Sequence, residues 1–281
     1  MLKFNLRHWA KHTLVRSRIR RRFHASLEKP LVLVHQMGKV GSSSVTATIR
    51  ASFLEIQVEQ THTLHPDHLA YAIQRERDSG QVYLPEHLLV SRQILDKGIP
   101  FTKMITLTRE PIGRSVSFFY EDLKKQSPEA LLMDKQIATA KVNEDLLSVL
   151  RGSNGTSNPG IWFNREIESL LGIDVFASPF YTDRGYSIYS NGQVDVLLLR
   201  MEDLDRCLVP ALAEFFNVKP GKINVKASNI GSSKWYNDAM RETKASLELP
   251  TDVLERVLST SYVQHFYSDY IDRLRSKWGA E

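Results

Sequence analysis

A chain of 281 residues with 42% hydrophobic and 25% charged residues has the make-up of a globular protein large enough to bury a sizeable core. Its one cysteine, Cys207, excludes an internal disulfide and favours a reducing, cytoplasmic setting. The net charge of +5 is lopsided, because residues 1–29 hold nine Lys or Arg against Glu28 alone, and the slightly acidic remainder argues against nucleic acid as a partner.

Residues 1–29 read as a basic N-terminal arm and 30–281 as a single domain. The arm has no long apolar run, so it reads as neither a membrane span nor a secretory signal. Leu6, Trp9, Ala10, Leu14 and Ile19 follow a loose helical spacing. Two readings fit it: a basic amphipathic segment that lies on an anionic membrane through residues 1–24, or a solvated, partly docked leader.

The valine-rich run LVLVH at 31–35 predicts a buried parallel strand. Serines open a predicted helix at 42–53. LEIQVEQ at 54–60 alternates as a second strand, and two helices with early prolines follow, at 65–77 and 85–98. TKMITLT at 102–108 is a third strand, followed by helices over 111–124 and 128–150. RGSNGTSNPG is a loop, VDVLLLRM at 194–201 a further strand, and 202–216 a helix. From about residue 235 the pattern is helical, and Cys207 reads as a packing residue. Strands alternating with helices predict a three-layer α/β/α sandwich with a central parallel sheet, whose ligands bind beyond the carboxyl ends of the strands.

Two loops at such ends carry chemistry. In MGKVGSSSV, Gly38 and Gly41 permit a tight turn, Lys39 supplies a cation, and Ser42, Ser43 and Ser44 open a helix whose amides favour an anion. A Walker loop places its lysine after the second glycine, whereas here Lys39 precedes Gly41. Simple helix capping needs only one serine. The second loop, REPIGRSVSFFY, offers Arg109, Arg114 and Ser117, and an arginine fork suits phosphate. Together the loops suggest one extended ligand with two anionic ends.

The loop pair resembles the two cofactor loops of sulfotransferases, a P-loop NTPase-like fold. The resemblance implies that Lys39, Val40, Gly41, Ser42, Ser43 and Ser44 grip the 5′-phosphosulfate of 3′-phosphoadenosine 5′-phosphosulfate (PAPS). It implies that Arg109 and Ser117 grip the 3′-phosphate. LLLRMEDLDR at 197–206 is similar to a third element of that family. SNIGSSKWYNDAM, with Lys234, Trp235 and Tyr236, and HFYSDY resemble a bacterial group of capsular polysaccharide synthesis proteins.

The activity so implied is metal-independent transfer of a sulfuryl group to a hydroxyl of a glycan or polysaccharide-related acceptor. No HxxxH or CxxC spacing marks a metal site. A hydroxyl acceptor needs a base, and histidine titrates near neutrality. His62 and His65 lead in EQTHTLHPDHL, with His68, Glu59 and His35 behind them, the last read as buried under the first loop. Lys226 and Lys234 belong to a basic loop expected to close over the cofactor, with Gly231, Ser232 and Ser233 as its pliant part. Trp235 either stacks on a base or sugar or packs inward with Tyr236. Two other functions stay open: a P-loop kinase-like phosphotransferase, and a non-catalytic polysaccharide-assembly or membrane-surface binding protein.

Overall fold

The structure, a computed structural model, describes residues 14–15, 17–19, 21–23, 29–79, 83–123, 127–131, 137–152, 159–227 and 234–279. The N-terminal part of the arm, residues 1–13, and the glycine-serine segment 228–233 lie outside them.

Five strands form one sheet: β1 (Leu31–His35), β2 (Gln57–Thr61), β3 (Lys103–Thr108), β4 (Tyr186–Ser190) and β5 (Asp195–Arg200). Their order across the sheet is β2-β1-β3-β5-β4. β1 pairs in parallel with β2 and β3, and β3 in parallel with β5. β1 is buried along its whole length, and β3 and β5 nearly so, as strands covered on both faces must be. The chain is thus the expected α/β fold with a mostly parallel central sheet.

The departure is β4, which the sequence reading missed and which pairs antiparallel with β5 at the sheet edge. The turn between them explains it. Asn191 Oδ1 accepts from the amides of Gln193 and Val194 at 2.8 Å each, and Gly192 sits at φ 84°. Asn-Gly is a strong hairpin signal, so the strand could have been found.

The helices fall close to prediction: α1 (Ser42–Ser52), α2 (Pro66–Asp78), α3 (Glu86–Lys97) and α4 (Pro111–Glu121). The long helix expected over 128–150 is shorter, with a 3₁₀ turn at Pro128–Ala130, an isolated bridge between Leu131 and Ile137, and α5 only at Thr139–Gly152. Next come α6 (Pro159–Phe163), which runs on through a π-turn at Asn164–Glu168, and α7 (Leu204–Phe215). The last four are α8 (Asn237–Ser246), α9 (Thr251–Leu258), α10 (Ser261–Phe266) and α11 (Ile271–Trp278).

Residues 14–15, 17–19 and 21–23 are helical. Their buried stripe is Val15, Ile19 and Phe23 at i, i+4, i+8, not the face through Leu14, which is 60% exposed. No helix among the described residues is long and apolar enough to cross a membrane. Cys207 is buried as expected, and burial pushes its thiol up to about 12, which leaves it inert at neutral pH.

Candidate functional site

Leaving β1 the chain crosses to β2, and leaving β3 it travels the other way, toward β5. Neighbouring strands whose connections part in this way open a crevice at their carboxyl ends. The loop after β1 and the loop after β3 are the two loops singled out in the sequence.

In the first loop Lys39 and Gly41 both adopt left-handed backbone, at φ 72° and 81°. For lysine that conformation costs about 1–2 kcal/mol, and such strain concentrates where a binding site demands it. A Cβ on Gly41 would come within 3.2 Å of the Met201 side chain. Gly41 caps α1 without a side-chain hydrogen bond, so the helix opens toward the crevice with its first-turn amides.

In the second loop Glu110 caps α4, its carboxylate accepting from the amides of Ile112 (3.0 Å) and Gly113 (2.8 Å). Arg109 Nη1 donates to the Lys39 carbonyl at 2.8 Å, and Arg114 Nε to the Gly38 carbonyl at 3.2 Å. The arginines therefore bolt one loop to the other. The Tyr262 hydroxyl accepts from the Arg109 amide (3.1 Å) and donates to its carbonyl (2.9 Å). Tyr267 donates to Glu202 at 2.9 Å, and Glu202 accepts from the Glu110 amide at 2.9 Å. Helix α10 and the tyrosine after it thus fix the backbone of the second loop.

The two loops form one wall of a cleft of about 800 Å³. Lys39, Val40, Gly41, Ser42, Ser43, Ser44, Arg109, Ser117, Lys226 and Lys234 all line it, and so does His62. His65 does not. Lys226 is placed by its backbone, whose amide donates to Thr48 Oγ1 at 3.0 Å, so its segment runs along α1. The Lys234 and Tyr236 side chains meet the Glu121 carboxylate, which also accepts from Lys39 at 2.9 Å. Burial opposes the charge on Glu121, but bonds from Lys234, Tyr236 and Lys39 outweigh it and hold the carboxyl at about 2. Burial pushes the Lys39 ammonium down while Glu121 pulls it up. Tyr236 packs inward, whereas Trp235 is 47% exposed and is not among the residues that line the cleft.

A comparison with protein families finds a match in the part of the chain that closes this cleft. Residues 134–268 match the family model described as "Putative capsular polysaccharide synthesis protein". The matched segment supplies Lys226, Lys234 and Tyr236 on the cleft wall, and Tyr262 and Tyr267 behind the second loop. Both loops that wall the cleft precede it in the chain.

The base candidates separate sharply. Burial, with repulsion from His87 and His35, pushes His62 down to about 3, so its ring is neutral at physiological pH but only weakly basic. His65 heads α2, its amide donates to Glu166 at 3.0 Å, and its ring lies against His68 at 5.4 Å. His35 is fully buried, bonded to Thr61 at 2.8 Å and in 3.4 Å contact with Glu166 without hydrogen-bond alignment. Burial opposes ionisation of Glu166, yet His35, the Thr63 hydroxyl and the Leu64 amide hold it at about 2. Neither of these two histidines lines the cleft. Glu59 is also removed from it. The neighbouring Gln60 reaches Thr46 of α1 at 2.7 Å, whereas Glu59 pairs with Arg22 at 3.3 Å. Strand parity sends adjacent side chains to opposite faces.

Two cleft groups escaped the sequence reading. Gln36 is 2% exposed, lines the cleft, and its Oε1 has no hydrogen-bond partner among the described residues. Lys244 brings a further cation from α8, and burial, with repulsion from Arg109 and Lys277, pushes it down to about 8. Among the described residues no group of His, Cys, Asp or Glu is arranged to hold a metal.

Proposed function

We propose that the chain is a PAPS-dependent sulfotransferase that modifies a hydroxyl of a glycan or polysaccharide-related acceptor. The observation that carries the reading is one cleft with two cationic grips, Lys39 with Lys234 at one place and Arg109 with Ser117 at another, mounted on loops that flank the switch point. A donor with a single anionic end needs only one. The polysaccharide half of the reading rests on the family description.

The residues fit such a donor. The α1 amides from Ser42 on, together with Lys39 and Lys234, would hold the 5′ end, and Arg109 with Ser117 the 3′-phosphate. When bound, PAPS supplies the sulfuryl group and a phosphate leaving group. Lys39 neutralises negative charge at that phosphate, and its strained backbone presents the side chain from a loop clamped by Arg109 and Arg114. His62 takes the proton of the acceptor hydroxyl. The unpartnered Gln36 Oε1 is free to accept a hydrogen bond from the acceptor.

Calorimetric titration with adenosine 3′,5′-bisphosphate is the first test. Saturable binding without added metal is expected, and absence of any heat or thermal shift at millimolar ligand would sink the reading. Binding of ATP that depends on magnesium would favour the kinase alternative instead.

The histidines give a second. General base catalysis contributes typically about 10²–10⁴-fold. His62→Ala is expected to lower turnover about 100-fold and to leave bisphosphate affinity unchanged. His65→Ala, away from the cleft, is expected to alter neither. Full activity in His62→Ala would remove it from the mechanism.

A further inference from the structure

Arg109 is not wholly available to a ligand, because Nη1 is held by the Lys39 carbonyl. A second cation stands beside it. Helices α4 and α8 run antiparallel. Glu121, the last residue of α4, meets Tyr236 before the start of α8, while Tyr120 hydrogen-bonds both the Ala239 carbonyl at 3.1 Å and the Thr243 hydroxyl at 2.8 Å. Tyr236, Met240 and Lys244 then form one stripe at i, i+4, i+8, and all three line the cleft. As that stripe advances, the α4 stripe recedes from Glu121 to Ser117 and on toward Arg109. Lys244 is carried to the Arg109 end, as Lys234 is to the Glu121 end.

The two ends differ in their counter-charge. Lys39 and Lys234 share Glu121. Lys244 has no hydrogen bond or ion pair among the described residues, although it is half-buried. The carboxylate that acts on it is Glu110, which is occupied by the α4 amides and sits 3.9 Å from Lys277. Arg109, Lys277 and Lys39 all repel it. A half-buried ammonium kept among cations, facing open space, is stabilised by whatever anion enters between it and Arg109.

We propose that Lys244 determines specificity for the 3′-phosphorylated donor, completing with Arg109 and Ser117 a second anion subsite in the cleft. The proposal rests on the sulfotransferase reading for the identity of the ligand and on the helix pairing for the position of the charge. Its chemistry is that of one ammonium and one guanidinium around a single phosphate, and it separates a 3′,5′-bisphosphate from a 5′-monophosphate.

The test compares calorimetric affinities for adenosine 3′,5′-bisphosphate and AMP in the full chain and in Lys244→Met and Lys244→Arg. Wild type is expected to favour the bisphosphate. Lys244→Met is expected to lose about 10- to 100-fold in bisphosphate affinity, the worth of a hydrogen bond to a charged group, and to bind AMP within about twofold of wild type. Lys244→Arg, which keeps the charge, is expected to restore most of the preference, with unchanged melting of all three proteins. Equal weakening toward both nucleotides in Lys244→Met would overturn the proposal by placing the lysine at the 5′ end or in the fold. Unchanged bisphosphate affinity in that variant would overturn it too. Failure of the wild type to bind either nucleotide would defeat the sulfotransferase reading itself, and the ligand assignment with it.

Discussion

Arg200→Ala is expected to lower the free energy of unfolding by about 3–5 kcal/mol, the usual cost of stranding the partner of a buried charge. Arg200 closes β5 and is 1% exposed. It donates to Asp203 through Nε, to both oxygens of Asp269 at 2.6 and 2.9 Å, and to the carbonyls of Phe266 and Thr182 at 3.0 Å each. Burial alone would weaken its hold on the proton, but Asp269 and Asp203 outweigh burial and raise its pKa further. Deleting the side chain leaves Asp203, 5% exposed, without its Arg200 contact, and two carbonyls without this donor. The consequence reaches the cleft. Phe266 and Asp269 flank Tyr267, and Tyr262 and Tyr267 hold the second loop, so loosening this anchor frees the backbone at Arg109. Urea denaturation reads the first effect and bisphosphate affinity the second. Arg200→Lys keeps the charge without the fork and is expected to fall between wild type and Arg200→Ala. A loss under about 1 kcal/mol in the alanine variant, within the range of exposed ion pairs, would show that the anchor does not secure this end of the sheet.

Which parts of this molecule were legible in its sequence follows from how local their causes are. The two loops that wall the cleft were, because each is a contiguous strand end and helix start, and each follows a run buried on both faces. The edge strand β4 was missed because YSIYS is short and polar, although the Asn191-Gly192 turn marks it. The helix over 128–150 was drawn too long because nothing in the spacing reveals the bridge between Leu131 and Ile137. Among the site residues, His62 and His65 are three positions apart in one turn, and only the path of the chain after β2 turns one into the cleft and leaves the other at the head of α2. Glu59 could have been set aside by parity once Gln60 was placed on the α1 face. Lys244 could not have been found. A lysine in a polar helix reads as solvated, and its position depends on α8 pairing with α4 from more than a hundred residues away in the chain.

Under the proposed sulfotransferase function, Lys39→Ala is expected to lower turnover about 10²–10³-fold, the range for removing one preorganised group that stabilises charge in a transition state. The loss should appear mainly in turnover, because Lys39 is already paired with Glu121 and a ligand at Lys39 would have to compete with that carboxylate. Affinity for adenosine 3′,5′-bisphosphate should fall less, since Lys234 and the α1 amides remain. Backbone strain complicates the alanine variant, for alanine too must sit at φ 72°. Lys39→Gly removes the side chain and the strain together. It is expected to be as inactive as Lys39→Ala yet more stable than it by about 1 kcal/mol, measured by urea denaturation. That pair of variants separates the lysine's charge from its conformation. If Lys39→Gly kept wild-type turnover, the role of the lysine would be to shape the loop, and the charge at the leaving phosphate would have to be met by Lys234.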